Sequence, residues 1–318
     1  MLQWQRPAPK GVISVKRLKK RRKKQHLPIG FLLLGLLPTV ILVGLFLVYP
    51  MIKSAVFSFY DMGVLQKSGD YVGLENFIYL FTKDDSFHRA LVNTLKTLVV
   101  VPVITIAIAF VLAVLLHRSN LREKNLYITF YFFPYFMSST VVAVVWCFVF
   151  FPTSSGILNN FLIHIGLENL THVWLGDSKT ALWCICAVII WCCIGYYVVL
   201  YLSGLDSISS EIYEAATLDG ASAWQQVTRI TLPLMKNILG VTLVLLMSGT
   251  LAVTFTYSKI MTNGGPSGST TVLLQYIYKQ GIEQGNVGYT SAVTVFTMFL
   301  GISLAVLSRV MTSKSEKK

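Results

Sequence analysis

At 318 residues the chain has length enough for about two soluble domains, but its composition excludes that arrangement: 54% is hydrophobic, only 13% is charged, and the mean hydropathy is +0.63. Soluble domains carry about 25% charged residues, so the solvent of most of this chain is a bilayer. The net charge of +13 does not point to nucleic acid, because its densest run, residues 16–24 (KRLKKRRKK), leads into a long apolar stretch and reads as an anchor against anionic lipid.

Residues 1–28 are accordingly expected as a basic cytoplasmic tail. The stretch 29–52 is too long for a signal-peptide core and no small-x-small cleavage site follows it, so it is expected to remain as a first span. A span needs about 20 predominantly apolar residues. Six segments qualify: 29–52, 91–116, 127–150, 181–203, 238–257 and 288–310. Prolines 38, 50, 102 and 134 fall inside or at the ends of these spans, where membrane helices tolerate them, and they predict kinks.

Orientation follows from Lys and Arg beside the span ends. Arg118, Arg122 and Lys124 in the short loop 117–126, and Arg309, Lys314, Lys317 and Lys318 near the C-terminus, share a side with the basic tail. The opposite loops, 53–90, 151–180 and 258–287, are longer and poorer in basic residues for their length. Both termini then face the cytoplasm, as do residues 204–237. Lys96 is the ionisable exception within the spans, about 11 Å from the middle of its span and within snorkelling reach of the outer interface. Cys147, Cys184, Cys186, Cys192 and Cys193 lie in apolar stretches with no histidine at metal-ligand spacing, and read as packing residues rather than a disulfide or zinc framework.

Between the fourth and fifth spans the chain reads SISSEIYEAATLDGASAWQQVTRITLPLMKN, amphipathic but too polar to span. Ser210 is the expected N-cap of a helix over 211–219, with Glu211 and Glu214 in its first turn. Gly220 can take the left-handed conformation that ends it. Ser222 to Gln225 has capping-box spacing for a second helix, and Leu232-Pro233 is expected to break that helix before the fifth span. Ala215, Ala216 and Gly220 present little bulk, so a partner could approach closely. On physics alone, an ordinary connecting loop on the membrane surface is the competing reading.

Glu214-Ala215-Ala216, three residues, Gly220, nine residues, then Ile230-x-Leu232-Pro233 resembles, without a gap, the EAA motif of bacterial ABC importer permeases. Gly73-Leu74-Glu75-Asn76-Phe77 followed by Phe87, Ala90, Leu91, Asn93 and Thr94 is similar to the segment entering the second span of carbohydrate-type members. Asn263-Gly264-Gly265-Pro266 with Thr270, Thr271 and Tyr276 is similar to their last outer loop. The chain looks like the six-span members of the maltose and glycerol-3-phosphate group.

The resemblance implies an all-α, polytopic membrane protein with six transmembrane helices and the type I ABC importer permease fold, its spanning domain over 29–310, a coupling loop over 206–237 and a cytoplasmic tail over 311–318. Glu214, Ala215, Ala216, Asp219, Gly220, Ile230, Leu232 and Pro233 would form the surface on which an ATPase docks, Glu214 capping or salt-bridging there and Gly220 providing the bend. The implied partners are a second homologous permease, two ATPase subunits, an extracellular solute-binding protein and membrane lipid, with no nucleic acid. The chain needs no cofactor on this reading, since ATP and Mg serve the ATPase, and no G-x-x-x-x-G-K-[ST] loop is present. It is read as a non-enzyme of the bacterial inner membrane.

Sugar sites pair aromatic faces with amide and hydroxyl groups. Tyr135, Trp146, Trp191, Tyr196, Tyr197 and Tyr257 are the candidates along a substrate pathway, set against the general abundance of aromatic residues in spans. An ion-coupled secondary transporter is the alternative, although no mid-membrane acid, histidine or arginine is present to serve one. A permease for a non-sugar solute such as a glycerophosphodiester is another.

Overall fold

The computed structural model describes residues 29–66, 68–119 and 122–316. The basic tail over 1–28 and Lys317 and Lys318 lie outside the described residues. The chain divides into two units, 1–51 and 52–318.

In the first unit, helix α1 (Ile29–Val43) carries Pro38 within it and passes into a π-helical turn over Gly44–Val48, where the Tyr49 amide donates to the Gly44 carbonyl. Helix α2 (Tyr49–Phe57) follows with Pro50 as its second residue. A proline ring clashes with the carbonyl four residues back, and the wider π turn moves that carbonyl aside.

The second unit begins within α2. Its first segment holds a small antiparallel hairpin, β1 (Tyr60–Asp61) with β2 (Asp70–Tyr71), in the register Tyr60 to Tyr71. The all-α expectation thus misses one short piece of sheet. Gly73 (φ +58°) turns the chain into α3 (Glu75–Thr82), and the Asn76 amide donates to the Ser58 and Tyr60 carbonyls, both at 3.0 Å.

Helix α4 (Asp85–Arg118) starts well before position 91 because the Asp84 carboxylate caps it, accepting from the Ser86 and Phe87 amides at 2.9 and 3.0 Å. Pro102 does not break it. The third predicted span, however, is not one helix. Helix α5 (Lys124–Phe136) and helix α6 (Ser139–Val149) meet at 100°. The break falls at Met137 and Ser138, both extended, three residues after Pro134, which denies the last turn one of its backbone hydrogen bonds.

Helix α7 (Ile157–His164) and a 3₁₀ turn at Glu168–Leu170 lead to α8 (Ala181–Asp206). Helices α9 (Ser210–Leu218) and α10 (Ala223–Gln226) form a helical hairpin, and α11 (Leu232–Met261) follows. Helix α12 (Leu273–Tyr278) precedes α13 (Val287–Glu316). Five helical stretches among the described residues are long and apolar enough to cross a membrane, and the bent pair α5–α6 makes six if it counts as one span.

The main core lies where α4 and α8 pack. Ile185, Val188, Ile189, Val198 and Tyr201 are buried there with Val101, Ala109 and Ala113. Helix α5 meets α8 more closely still: a Cβ on Gly195 would stand 1.9 Å from the Tyr131 carbonyl oxygen and 2.6 Å from the Phe132 nitrogen. Only a residue without a side chain fits between these two backbones.

The end of α4 remote from the hairpin, the outer end on the orientation expected from the sequence, is held by a second cluster of Leu80, Phe87, Ala90, Leu273, Tyr276 and Val293, stitched with polar bonds. The Asn93 amide donates to the Gly268 and Thr271 carbonyls at 3.1 and 3.0 Å, and Thr94 Oγ1 accepts from the Leu273 amide at 2.9 Å. The Tyr276 and Tyr289 hydroxyls both donate to Asp84 Oδ2. Two sequence segments that resembled separate family signatures, 73–94 and 263–276, therefore share one assembly. Burial alone would raise the Asp84 carboxyl, but the hydrogen bonds from Tyr276, Tyr289 and the two capping amides outweigh it and hold the group below its ordinary value. Burial and the neighbouring carboxylate push the Tyr276 hydroxyl up, so it stays a donor.

Two outcomes follow from this packing. Gly195→Ala is expected to destabilise the detergent-solubilised protein by at least about 2 kcal/mol through overpacking, whereas Gly301→Ala, with no atom within 4 Å of its Cβ, leaves the thermal midpoint in place. For Asp84, a depressed folded pKa means that the unfolded state holds the proton more tightly. The stabilisation is full above the ordinary carboxylate range and is lost as pH falls through the folded value, below about pH 4. Asp84→Asn should cost about 1–3 kcal/mol at pH 7 and flatten the acid limb of stability measured by hydrogen exchange of α12.

Candidate functional site

The hairpin of α9 and α10 is built almost wholly from local signals. Its N-cap is Ser209 rather than Ser210: Ser209 Oγ accepts from the Glu211 amide at 3.3 Å, and Ser210 is the first helical residue. Both serines can cap, and the one whose backbone is extended does so. Gly220 at φ +79° ends α9, with its amide on the Thr217 carbonyl (3.0 Å) and the Ala221 amide on the Ala216 carbonyl (2.9 Å). The Ser222–Gln225 capping box is complete, at 3.3 and 2.8 Å.

Leu232-Pro233 does not break the second helix. The chain is helical from Ala223 to Met261, because a π-helical turn over Val227–Thr231 precedes Pro233 and the Leu232 amide reaches the Val227 carbonyl. Pro233 stands at the same offset from its π turn as Pro50 does from the first one. The hairpin is thus rigidly continuous with α11. Across it, the Tyr213 and Thr231 hydroxyls bond at 3.0 Å.

Glu214, Ala215, Asp219, Gly220, Leu232 and Pro233 are exposed, while Ala216 and Ile230 are half-buried. The Glu214 and Asp219 side chains make no hydrogen bond or ion pair among the described residues. The motif pattern does not single out two further exposed side chains. Leu218 is 89% and Trp224 74% accessible, flanking the Gly220 turn. Their sequence signal is apolar character at the end of an otherwise polar segment. Large apolar residues this exposed, in a segment that also presents two free carboxylates, make a surface suited to a partner.

Within the membrane, Tyr135 of α5 and Tyr196 of α8 stack with ring centroids 4.7 Å apart at 16°, and Tyr196 meets Tyr197 edge-on at 5.1 Å. The contact at Gly195 brings α5 near enough for this stack. The three tyrosines, with Cys193, line a cavity of about 330 Å³ whose far wall is Leu245, Gly249, Thr250 and Val253 of α11. Trp146 and Trp191 pair with each other at 5.5 Å and do not line it. Tyr257 is 2% accessible, its hydroxyl 3.4 Å from Cys192 Sγ, and it is likewise absent from the cavity wall. A second, polar cavity of about 590 Å³ opens at the outer cluster, among Asp61, Glu75, Asn76, Gln280 and Asn286. No group of three or more His, Cys, Asp or Glu suited to a metal ion occurs among the described residues.

Residues 84–317 match the family described as binding-protein-dependent transport system inner membrane component. The chain is 32% identical to the probable ABC transporter permease protein YurN of Bacillus subtilis (strain 168), over 86% of this chain and 93% of that one. It is 33% identical to the lactose transport system permease protein LacF of Rhizobium radiobacter, over 76% and 80%. Among solved structures, a chain of a bacterial alginate ABC transporter, crystallised with an alginate pentasaccharide-bound periplasmic protein, superposes with a TM-score of 0.78 at 27% identity, over 90% of this chain and 94% of that one. The exposed hairpin, the aromatic cavity between the helices that carry it, and the family match over 84–317 lead to one conclusion: this chain belongs to the binding-protein-dependent ABC transport inner-membrane components, and is a multi-pass permease rather than the ATPase of such a system.

Proposed function

We propose that this permease imports a sugar or short oligosaccharide, drawing its drive from an ATPase seated on the 206–237 hairpin. The observation that carries this reading is the hairpin itself, with two free carboxylates, an exposed Leu218 and Trp224, and a rigid continuation into a membrane span. Glu214, Asp219 and Gly220 are the polar and bending elements of the docking surface, with Ala215, Ala216, Ile230, Leu232 and Pro233 shaping its approach. Basic residues beside the span ends support a bacterial inner-membrane orientation with both termini in the cytoplasm.

A sugar fits the tyrosine-walled cavity because pyranose rings offer C–H faces to aromatic rings and hydroxyls to Tyr and Thr oxygens. The lactose permease and alginate transporter among its relatives are named for solutes of that class. Tyr135, Tyr196 and Tyr197 are the residues proposed to touch the solute. Trp146 and Trp191 are assigned to the surrounding packing, and Tyr257 to support behind the wall. A second homologous permease, two ATPase copies and an extracellular solute-binding protein complete the proposed complex. The polar outer cavity faces the side from which such a binding protein would deliver its cargo.

Leu218→Asp and Gly220→Val are each expected to lower co-purification of the ATPase by at least about tenfold, since they strike an apolar anchor and a left-handed turn. Unchanged ATP-driven uptake by both variants, or gradient-driven uptake by this chain alone, would overturn the docking reading. Tyr196→Ala should raise the apparent KM for sugar uptake about five- to tenfold by removing the stacked face, while the ATPase still co-purifies.

A further inference from the structure

We propose that Arg118 and Gln226 act as a clamp that carries the stroke of the cytoplasmic hairpin into the second span and along it to the outer cluster. The proposal rests on the reading that an ATPase docks on the hairpin. Helices α8 and α11 are joined to the hairpin by the chain itself, but α4 is not. It packs on α8 in the main core, and its last two residues also reach the hairpin directly. His117 Nδ1 lies 3.1 Å from Asp206 Oδ1, at the entry to the hairpin, and donates there because a carboxylate can only accept. Arg118 Nη2 donates to Gln226 Oε1 at 3.1 Å, on the hairpin's second helix, and its guanidinium stands 6.0 Å from the Tyr213 ring on the first. The end of α4 thus holds both arms.

Gln226 is the hub. Its amide nitrogen donates to Thr217 Oγ1 at 3.0 Å and to the Ala221 carbonyl at 3.3 Å, while its oxygen faces the guanidinium. That orientation is dictated by chemistry, since Arg offers only donors and a backbone carbonyl only accepts. One side chain therefore ties together the first helix, the turn and a separate span.

The bonds are exposed, so they contribute little to folding, and a role in transmission can be separated from stability. At its other end α4 is capped by Asp84, whose carboxylate also holds Tyr276 and Tyr289. At 34 residues, α4 is about 51 Å long, enough to join the hairpin side to the outer side as one element. Arg118 and Gln226 are positioning residues: they touch neither nucleotide nor solute.

The test uses the complete complex from its own membrane, with Ser86→Cys as a reporter on the exposed first turn of α4 and fluorescein maleimide as the probe. ATP is expected to change the labelling rate of Ser86→Cys in the otherwise native complex. Gln226→Leu and Arg118→Met should each shrink that change about three- to tenfold, with ATP hydrolysis and ATPase co-purification within about twofold of native. The double variant should be no worse than either single, because the two groups act as one unit, and Arg118→Lys, which keeps a donor, should recover part of the response. No ATP-dependent change in the native complex, an undiminished change in Gln226→Leu, or loss of ATPase co-purification in Gln226→Leu would each overturn the clamp. Failure of the docking reading shows separately, as Leu218→Asp retaining its ATPase.

Discussion

Hydrocarbon offers no hydrogen bonds, so every backbone N–H and C=O within a span must be satisfied by the helix that contains it or by packed protein. The placement of this protein's irregularities follows from that constraint. Pro50 and Pro233 each sit two residues beyond a π-helical turn, so the carbonyl each would strike is displaced and the helix continues. Pro102 lies deep in α4 and is absorbed there. Near Pro134 the helix does end, and the extended residues Met137 and Ser138 let α5 and α6 meet at 100°. The break follows directly on the segment of α5 that lies against α8.

What could be read from the sequence is what local chemistry decides. The left-handed Gly220 and the Ser222–Gln225 box are one-residue and four-residue signals with a single good solution. The fourth span is unambiguous because 181–203 is apolar all round. The Ser209–Ser210 ambiguity is of a different kind: both side chains can cap, and the choice depends on where the preceding span releases the backbone. Leu232-Pro233 was legible as a helix breaker only to a rule that lacks the π turn, since no sequence pattern announces a turn of five residues.

The outer cluster and the membrane cavity show where sequence reading stops. Asp84 is of a residue type that caps helices, but the sequence reading starts this span only at 91, and the partners Tyr276 and Tyr289 lie 192 and 205 residues away. Six aromatic candidates could be named from the spans. Only folding separates the three that line the cavity from Trp146 and Trp191, which pair with each other, and Tyr257, which is turned into the packing. Gly195 carries the least sequence signal of all. A glycine in an apolar helix is common in membranes, and its importance here is visible only because the Tyr131 carbonyl occupies the place of its missing side chain.

The hairpin and the cavity are not separate sites, because the same two helices carry both. Helix α8 supplies Cys193, Tyr196 and Tyr197 to the cavity and then enters the hairpin after Asp206. Helix α11 leaves the hairpin and supplies Leu245 to Val253. Between the two sites the helices are locked together: the Tyr201 and Thr242 hydroxyls bond at 2.8 Å in a buried position, and Gly204 gives room for the Met235 and Ile238 side chains. From Tyr196 to Asp206 is ten residues, or about 15 Å of helix. A rigid hairpin joined to two locked helices cannot be displaced without moving the cavity walls they share. On the proposed reading, force reaches the solute by this short route without any change in secondary structure. The opposite wall, Tyr135, belongs to α5, which is tied to α8 by the Gly195 contact rather than by the hairpin. The stack of Tyr135 on Tyr196 therefore survives only while α5 and α8 move together, which makes the α5–α8 seam the element that decides whether the cavity travels intact or opens.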